Sequence, residues 1–328
     1  MLGVFRLRCE RTSIQPKMKS ADKKIDQGRV RIGISGWRYP GWRGVFYPET
    51  LVQRRELEFA ANAFDTIEIN GTFYSLQRAE SFAEWARQTP DDFVFSLKGS
   101  RYITHMRKLR DTQIPLANFF ASGMIGMGRK LGPILWQFPP QMKYDHQRFA
   151  EFFKLLPRST KAAASLARRY ADRLADESAI RVREDFSLRH CVEIRHESFA
   201  VPNFVDLLRE HDIGLVVADT VEWPLLMDVT SDFVYCRLHG SEQLYASGYG
   251  DDALDAWAHR VALWARGSQP EGRRASTLDA VVRPRDVYVY FDNDMKVRAP
   301  FDAQGLRTRT NKLLGTAPTR SWPVSPSA

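Results

Sequence analysis

The sequence predicts an α/β chain closed into a (β/α)8 barrel with a parallel eight-stranded core. Three observations carry that prediction. Eight short runs rich in apolar, β-branched and aromatic residues lie between residues 30 and 291. Several are apolar on both faces, as buried parallel strands are. Helical patterns alternate with them, which implies βαβ units joined by right-handed crossovers. A doubly wound open sheet is the alternative. It would place a Gly-rich phosphate loop after the first strand, and Gly36-Trp37-Arg38-Tyr39-Pro40-Gly41-Trp42 lacks that spacing.

In chain order, strands are expected at Val30–Ser35, Phe64–Asn70, Phe93–Lys98, Pro133–Phe138, Cys191–Arg195, Gly214–Asp219, Phe233–His239 and Val287–Phe291. Helices are expected at Glu56–Ala63, Ser81–Gln88, Gln147–Leu156, Asn203–His211 and Asp252–Ala265. Two stretches exceed ordinary connections. Arg158–Arg189 carries an Ala/Arg-rich helical pattern, and Gly267–Pro284 is polar and Gly/Ser/Arg-rich, which predicts a mobile loop. The domain expected is residues 30–315, between a basic extension over 1–29 and a Pro/Ser/Thr-rich, disordered tail over 316–328.

Net charge is +9, but its distribution matters more than its size. Residues 1–29 hold eight Lys/Arg against three Asp/Glu, a net of +5, and residues 305–328 hold four against none, a net of +4. Residues 30–304 are therefore close to neutral. A basic tail attracts polyanions by counterion release, so the tails keep nucleic acid open as a partner. No apolar run is long enough to span a membrane, and the leader has no secretory pattern. Cys9, Cys191 and Cys236 have no metal-type spacing, and the expectation is free thiols in a reducing cytoplasm.

In a barrel, functional groups come from the C-terminal strand ends and the loops after them. Alternate residues of a strand share a face, so Glu68 pairs with Asn70, Glu193 with Arg195, and Arg237 with His239. Lys98 ends the third strand, Gln137 the fourth and Asp219 the sixth, and Asp292-Asn293 follows the eighth. Three cations, Lys98, Arg195 and Arg237, predict an anionic ligand, since buried charge needs a partner and Arg suits phosphate or carboxylate. Glu68 or Glu193 is the expected general base or acid, with His239 or His105 as second proton carrier. Asn70, Gln137 and Asn293 are expected to orient the ligand by hydrogen bonds, and Tyr74 to line its wall. Trp37 and Trp42, in the first loop, are candidates to stack on a base or sugar. A hard divalent ion on Glu68, Glu193, Asp219 and His239 is a weaker alternative; neighbouring Lys/Arg oppose it, and no motif points to a cofactor. No Gly-x-Ser-x-Gly elbow is present.

At these residues the chain resembles the YecE-like, or DUF72, family. The matching segments include Gly33-Ile34-Ser35-Gly36-Trp37-Arg38-Tyr39, Glu68-Ile69-Asn70-Gly71-Thr72-Phe73-Tyr74, Gly132-Pro133-Ile134-Leu135-Trp136-Gln137-Phe138-Pro139-Pro140, Glu193-Ile194-Arg195-His196 and Arg237-Leu238-His239-Gly240. The resemblance implies a TIM-type barrel and supplies no reaction. The family's Asn-Asn pair after the last strand reads Asp292-Asn293 here, and its later Asn-Ala reads Asp302-Ala303. The functions expected are an enzyme acting on a small anionic, phosphorylated or sugar-like substrate; a nucleic-acid binding or phosphodiester-processing protein; and a non-catalytic ligand-binding barrel. Oligomeric state is not legible.

Overall fold

A computed structural model describes residues 27–172, 177–240, 248–293 and 297–320. Its eight strands are β1 (Val30–Ser35), β2 (Thr66–Ile69), β3 (Val94–Lys98), β4 (Leu131–Gln137), β5 (His190–Glu193), β6 (Ile213–Asp219), β7 (Phe233–Leu238) and β8 (Asp286–Phe291). They pair in parallel in sequence order, and β1 closes on β8 from Val30↔Val287 to Ile34↔Phe291. The predicted barrel is the observed fold.

The helices are α1 (Glu56–Ala63), α2 (Gly71–Tyr74), α3 (Ala79–Arg87), α4 (Gln113–Ala121), α5 (His146–Leu155), α6 (Thr160–Tyr170), α7 (Pro202–Glu210), α8 (Asp251–Ala265) and α9 (Ala299–Leu314). Local chemistry sets several starts. The Asp145 carboxylate caps α5 by accepting from Arg148 N at 3.1 Å, and Ser159 Oγ caps α6 by accepting from Ala162 N at 3.2 Å. Pro202 opens α7, where its missing N–H costs nothing. Gly315 ends α9 in the left-handed region, at φ +66°.

Besides the single-turn α2, two longer helices escaped the sequence reading. α4 is apolar nearly all round and buried from Leu116 to Ala121, so it shows no period. α9 has the opposite problem, because its buried face includes Asp302, Arg307 and Thr310.

Strand parity divides the core in two. Ile32, Ile34, Ile67, Ile69, Val217 and Val289 face outward against the helices. Val94, Leu135, Cys191, Val216, Ala218, Tyr235 and Tyr290 fill the barrel. Two hydroxyl pairs bridge its interior, with Thr66 Oγ1 2.7 Å from Tyr290 OH and Ser96 Oγ 2.8 Å from Tyr235 OH.

No helix lies between β6 and β7 among the described residues; residues 220–232 are irregular. The segment expected to be mobile, Gly267–Pro284, packs against that connection instead. The Asp228 carboxylate accepts from Ala275 N at 2.7 Å and Ser276 N at 3.0 Å, and Met227 N donates to Arg273 O at 2.8 Å. A polar segment is thus pinned by a buried carboxylate that composition alone does not reveal.

The basic leader 1–26 and residues 321–328 lie outside the described residues. Much of the C-terminal surplus of charge is tied to the barrel. Arg309 pairs with Asp251 and Asp255, Arg320 with Asp65 and Asp92, and Arg307 is buried. No helix among the described residues is long and apolar enough to cross a membrane.

Candidate functional site

The C-terminal strand ends carry a buried ion network centred on Arg237. Its side chain points into the barrel because Phe233, Tyr235 and Arg237 share one face of β7. Arg237 Nη1 donates to Glu193 Oε2 at 2.6 Å, and Nη2 donates to Asp292 Oδ2 at 2.5 Å and Glu68 Oε1 at 3.1 Å. Arg237, Glu68 and Glu193 are fully sealed from solvent. Burial opposes their charges, but the carboxylates raise the Arg237 pKa well above its usual value. Burial is the largest single influence on Glu193 and Asp292 and opposes their ionisation, but their cationic and hydrogen-bonding neighbours, Arg237 foremost, together outweigh it and hold both below the usual carboxylate range.

Around this centre the remaining lone pairs are filled. Glu68 Oε1 also accepts from Ser35 Oγ at 2.6 Å, and Glu68 Oε2 accepts from Tyr235 OH at 2.6 Å. Glu193 Oε1 accepts from Arg195 Nε at 2.8 Å, and the Arg195 guanidinium lies 3.7 Å over the Trp223 ring. His239 is buried beside the network, with Nδ1 3.2 Å from Asp292 Oδ2 and Nε2 3.6 Å from Glu193 Oε2. Lys98 Nζ reaches Glu68 Oε1 only at 3.6 Å.

Above the network opens a cavity of about 800 Å³. Lys98, Asp292, Arg195, Gln137 and Asn70 line its polar part, and Trp37, Tyr39, Phe73, Tyr74 and Trp85 its aromatic part. Gly36 sits at its edge with φ +84°, and its N–H donates to Glu68 O at 2.8 Å. A Cβ there would stand 2.8 Å from Tyr39 OH, so the turn into the loop requires glycine.

The structure therefore gathers Trp37, Asn70, Tyr74, Lys98, Gln137 and Arg195 at one cavity. Several other expectations need correction. Arg237 does not wait for an anion, because three carboxylates already balance it. Glu68 and Glu193 do not line the cavity, and their oxygens are occupied by donors, which makes them fixed counter-charges rather than proton carriers. His239 lies beside Asp292, its ring perpendicular to that of Trp223 with centroids 5.4 Å apart, and does not line the cavity either.

Trp42 is 1% exposed and packs 4.6 Å from Tyr39 and 5.4 Å from Phe46, so it plugs the loop against the core instead of stacking on a ligand. Tyr74 is a lip residue, 68% exposed, with Arg101 6.0 Å over its ring. Asp219 shares parity with the outward Leu215 and Val217, and accepts from Trp257 Nε1 at 3.0 Å outside the barrel. Asn293 also turns away: its amide donates to Asp302 Oδ2 at 2.8 Å on α9. His105 belongs to a neighbouring groove, where Thr104 Oγ1 is 2.8 Å from its Nδ1.

With Asp219 outside and Arg237 inside, the proposed metal set does not converge. Among the described residues no group of three or more His, Cys, Asp or Glu could hold a metal ion. The residues missed were Ser35, Tyr235, Trp85 and Trp223, and Asp292, named at the end of the eighth strand, was given no role. Parity within β7 and β8 points to Tyr235 and Asp292, and the in-register pair Ser35↔Glu68 points to Ser35. Nothing in the sequence places Trp85, on α3, or Trp223 at the site.

The closed barrel and its rim cavity define the class as a (β/α)8 protein with a cavity at the C-terminal face. The chain belongs to the family described as protein of unknown function DUF72, whose model matches residues 31–324. It is 26% identical over 116 residues to UPF0759 protein YunF of Bacillus subtilis, covering 34% of this chain and 40% of that one. It is 30% identical over 110 residues to UPF0759 protein YecE of Escherichia coli, covering 34% and 38%. The matched stretch thus spans about two fifths of these curated relatives. A DUF72 family protein of Thermotoga maritima superposes with a TM-score of 0.64 at 24% identity, covering 85% of this chain and 98% of that one. One from Enterococcus faecalis gives 0.59 at 16% identity, covering 89% and 100%. These likenesses to solved structures show the fold.

Proposed function

We propose that the protein is an enzyme whose small anionic substrate, phosphorylated or sugar-like, binds in the cavity above Arg237. One observation carries this reading: Lys98, Arg195, Asn70 and Gln137 converge as hydrogen-bond donors on one aromatic-walled cavity. Arg195 contacts Glu193 through Nε and Nη2, which leaves guanidinium N–H groups for a ligand. Trp37 and Phe73 offer faces for a sugar ring. Lys98 faces the reacting atoms, and the network below fixes its field without moving. Glu68 and Glu193, being buried and saturated, hold charge in place. The free buried thiols Cys191 and Cys236 fit the reducing cytoplasm expected from the sequence.

Thermal-shift titration with sugar phosphates and small carboxylates tests the reading. Wild type is expected to gain melting temperature with at least one of them, since ligand bound only to the native state stabilises it. The Arg195→Met variant, checked for folding by circular dichroism, is expected to lose that gain. Equal shifts in both proteins, or none in wild type, contradict the reading.

A second reading, binding of single-stranded nucleic acid, has its own support. A groove beside the cavity is lined by Arg107, Lys108, Arg110, Lys143 and Arg148 against Asp111 and Asp145. Tyr74 and Tyr102 are exposed at the cavity between the two. Alternating cations and exposed aromatics suit a stacked, charged strand, which moves this reading away from Trp42 and the C-terminal tail. Gel-shift titration at two salt concentrations tests it. Retention that weakens with salt and with Lys143→Glu supports the groove, and no retention at low salt removes it.

A further inference from the structure

Four polar groups crowd the Glu68 carboxylate, and one of them is left over. Ser35 Oγ and Tyr235 OH each approach to 2.6 Å and Arg237 Nη2 to 3.1 Å, whereas Lys98 Nζ stands at 3.6 Å, outside hydrogen-bond range. No closer carboxylate partner of Lys98 exists among the described residues. Thr72 Oγ1 holds the Lys98 backbone carbonyl at 2.7 Å, so the residue is fixed at its base while its amine stays loosely held. Lys98 is also 9% exposed and, among the described residues, the one lysine lining the cavity.

From this we infer that Lys98 is a nucleophile that forms an imine with a carbonyl-bearing anionic substrate. The inference rests on the cavity being the substrate site, and it narrows the substrate to small oxo-acids, or aldehydes and ketones that carry a phosphate or carboxylate. An amine becomes nucleophilic when burial and a neighbouring cation disfavour its protonation. Both act here: burial first and Arg237 second lower the Lys98 pKa, against the opposing pull of Glu68, Asp292 and Glu193.

The step balances without a co-reactant. The Lys98 ammonium gives one proton to solvent, and the neutral amine adds to the carbonyl carbon to form a carbinolamine; that intermediate takes a proton back from solvent and loses its oxygen as one water, leaving the C–N double bond of an iminium. The positive charge returns to the nitrogen, so the acids that balance the ammonium go on to balance the iminium. Arg195, Asn70 and Gln137 are placed to bind the substrate's anionic group, leaving the carbonyl to Lys98.

The test uses the full chain, glyoxylate as an aldehyde bearing a carboxylate, and cyanoborohydride to reduce the iminium to a stable secondary amine. Peptide mass spectrometry then maps the adduct. Lys98 is expected to label severalfold faster than Lys161, since burial and the neighbouring cation leave more of its amine neutral; the Lys161 side chain is 72% exposed. Lys98→Arg is expected to lose the fast adduct, and if it fails to fold the wild-type map alone decides. Labelling of Lys98 no faster than Lys161 overturns the imine. If glyoxylate still stabilises wild type and not Arg195→Met in that case, the anion cavity stands without it. If neither shift nor adduct occurs, both readings fail.

Discussion

Arg237 and Glu193 form a fully buried ion pair, with Nη1 donating to Oε2 at 2.6 Å and neither side chain reaching solvent. Two strands of the barrel, β5 and β7, meet through this contact, and Asp292 and Glu68 bring in β8 and β2. Arg237→Met leaves these acids without their shared cation. Removing one partner of a buried pair costs about 3–5 kcal/mol. Urea unfolding is expected to show a loss of that size, and a change below about 1 kcal/mol, the scale of an exposed pair, contradicts the assigned burial.

The same network sets the acid limit of stability. Burial opposes ionisation of Glu193 and Asp292, but Arg237 and their other donors together hold both below the usual carboxylate range in the folded state. Their contribution is complete above the unfolded carboxylate pKa of about 4 and is lost as pH falls through the lower folded values. Unfolding free energy measured against pH is expected to fall below that point, and less steeply in Arg237→Met. Matching slopes in the two proteins argue against the coupling.

The two tryptophans of the first loop separate packing from binding. Trp42 is 1% exposed, so Trp42→Ala is expected to cost about 3–5 kcal/mol in denaturant unfolding. Trp37 lines the cavity at 7% exposure, edge-on to Trp85 at 5.6 Å. Trp37→Leu is expected to weaken ligand stabilisation more than stability itself. If Trp42→Ala proves the milder change in unfolding, the plug assignment is wrong.

His105 supplies a titration test of the neighbouring groove. Burial, then the charges of Arg195 and Arg101, lower its pKa to about 4. The imidazole is expected to stay neutral in the folded protein down to that pH, while the unfolded chain protonates near 6.5. Its contribution to stability is therefore full above 6.5 and is lost as pH falls towards 4. Carbon-13 detected NMR titration reads the midpoint directly, and a value near 6.5 contradicts the placement.

The barrel was legible because buried parallel strands leave continuous apolar runs, and all eight strands begin and end within two residues of their expected bounds. The polar pairs at i and i+2 were also legible, and Glu68, Glu193 and Arg237 do share one interior. Their roles were not. A strand pattern gives the face of a side chain but not who fills its hydrogen bonds, so Arg237 read as a free cation. Asp219 and Asn293 were taken for their position along the strand, although parity turns both outward. Trp85 and Trp223 come from a helix and from an irregular connection, where no period marks a ligand wall.

A crystal of the full chain soaked with a small sugar phosphate tests the central claim most directly. The anion is expected within hydrogen-bond distance of Arg195 and beside Lys98, under Trp37. An anion held only in the groove of Arg107 and Lys143, with the Lys98 cavity empty, would contradict it.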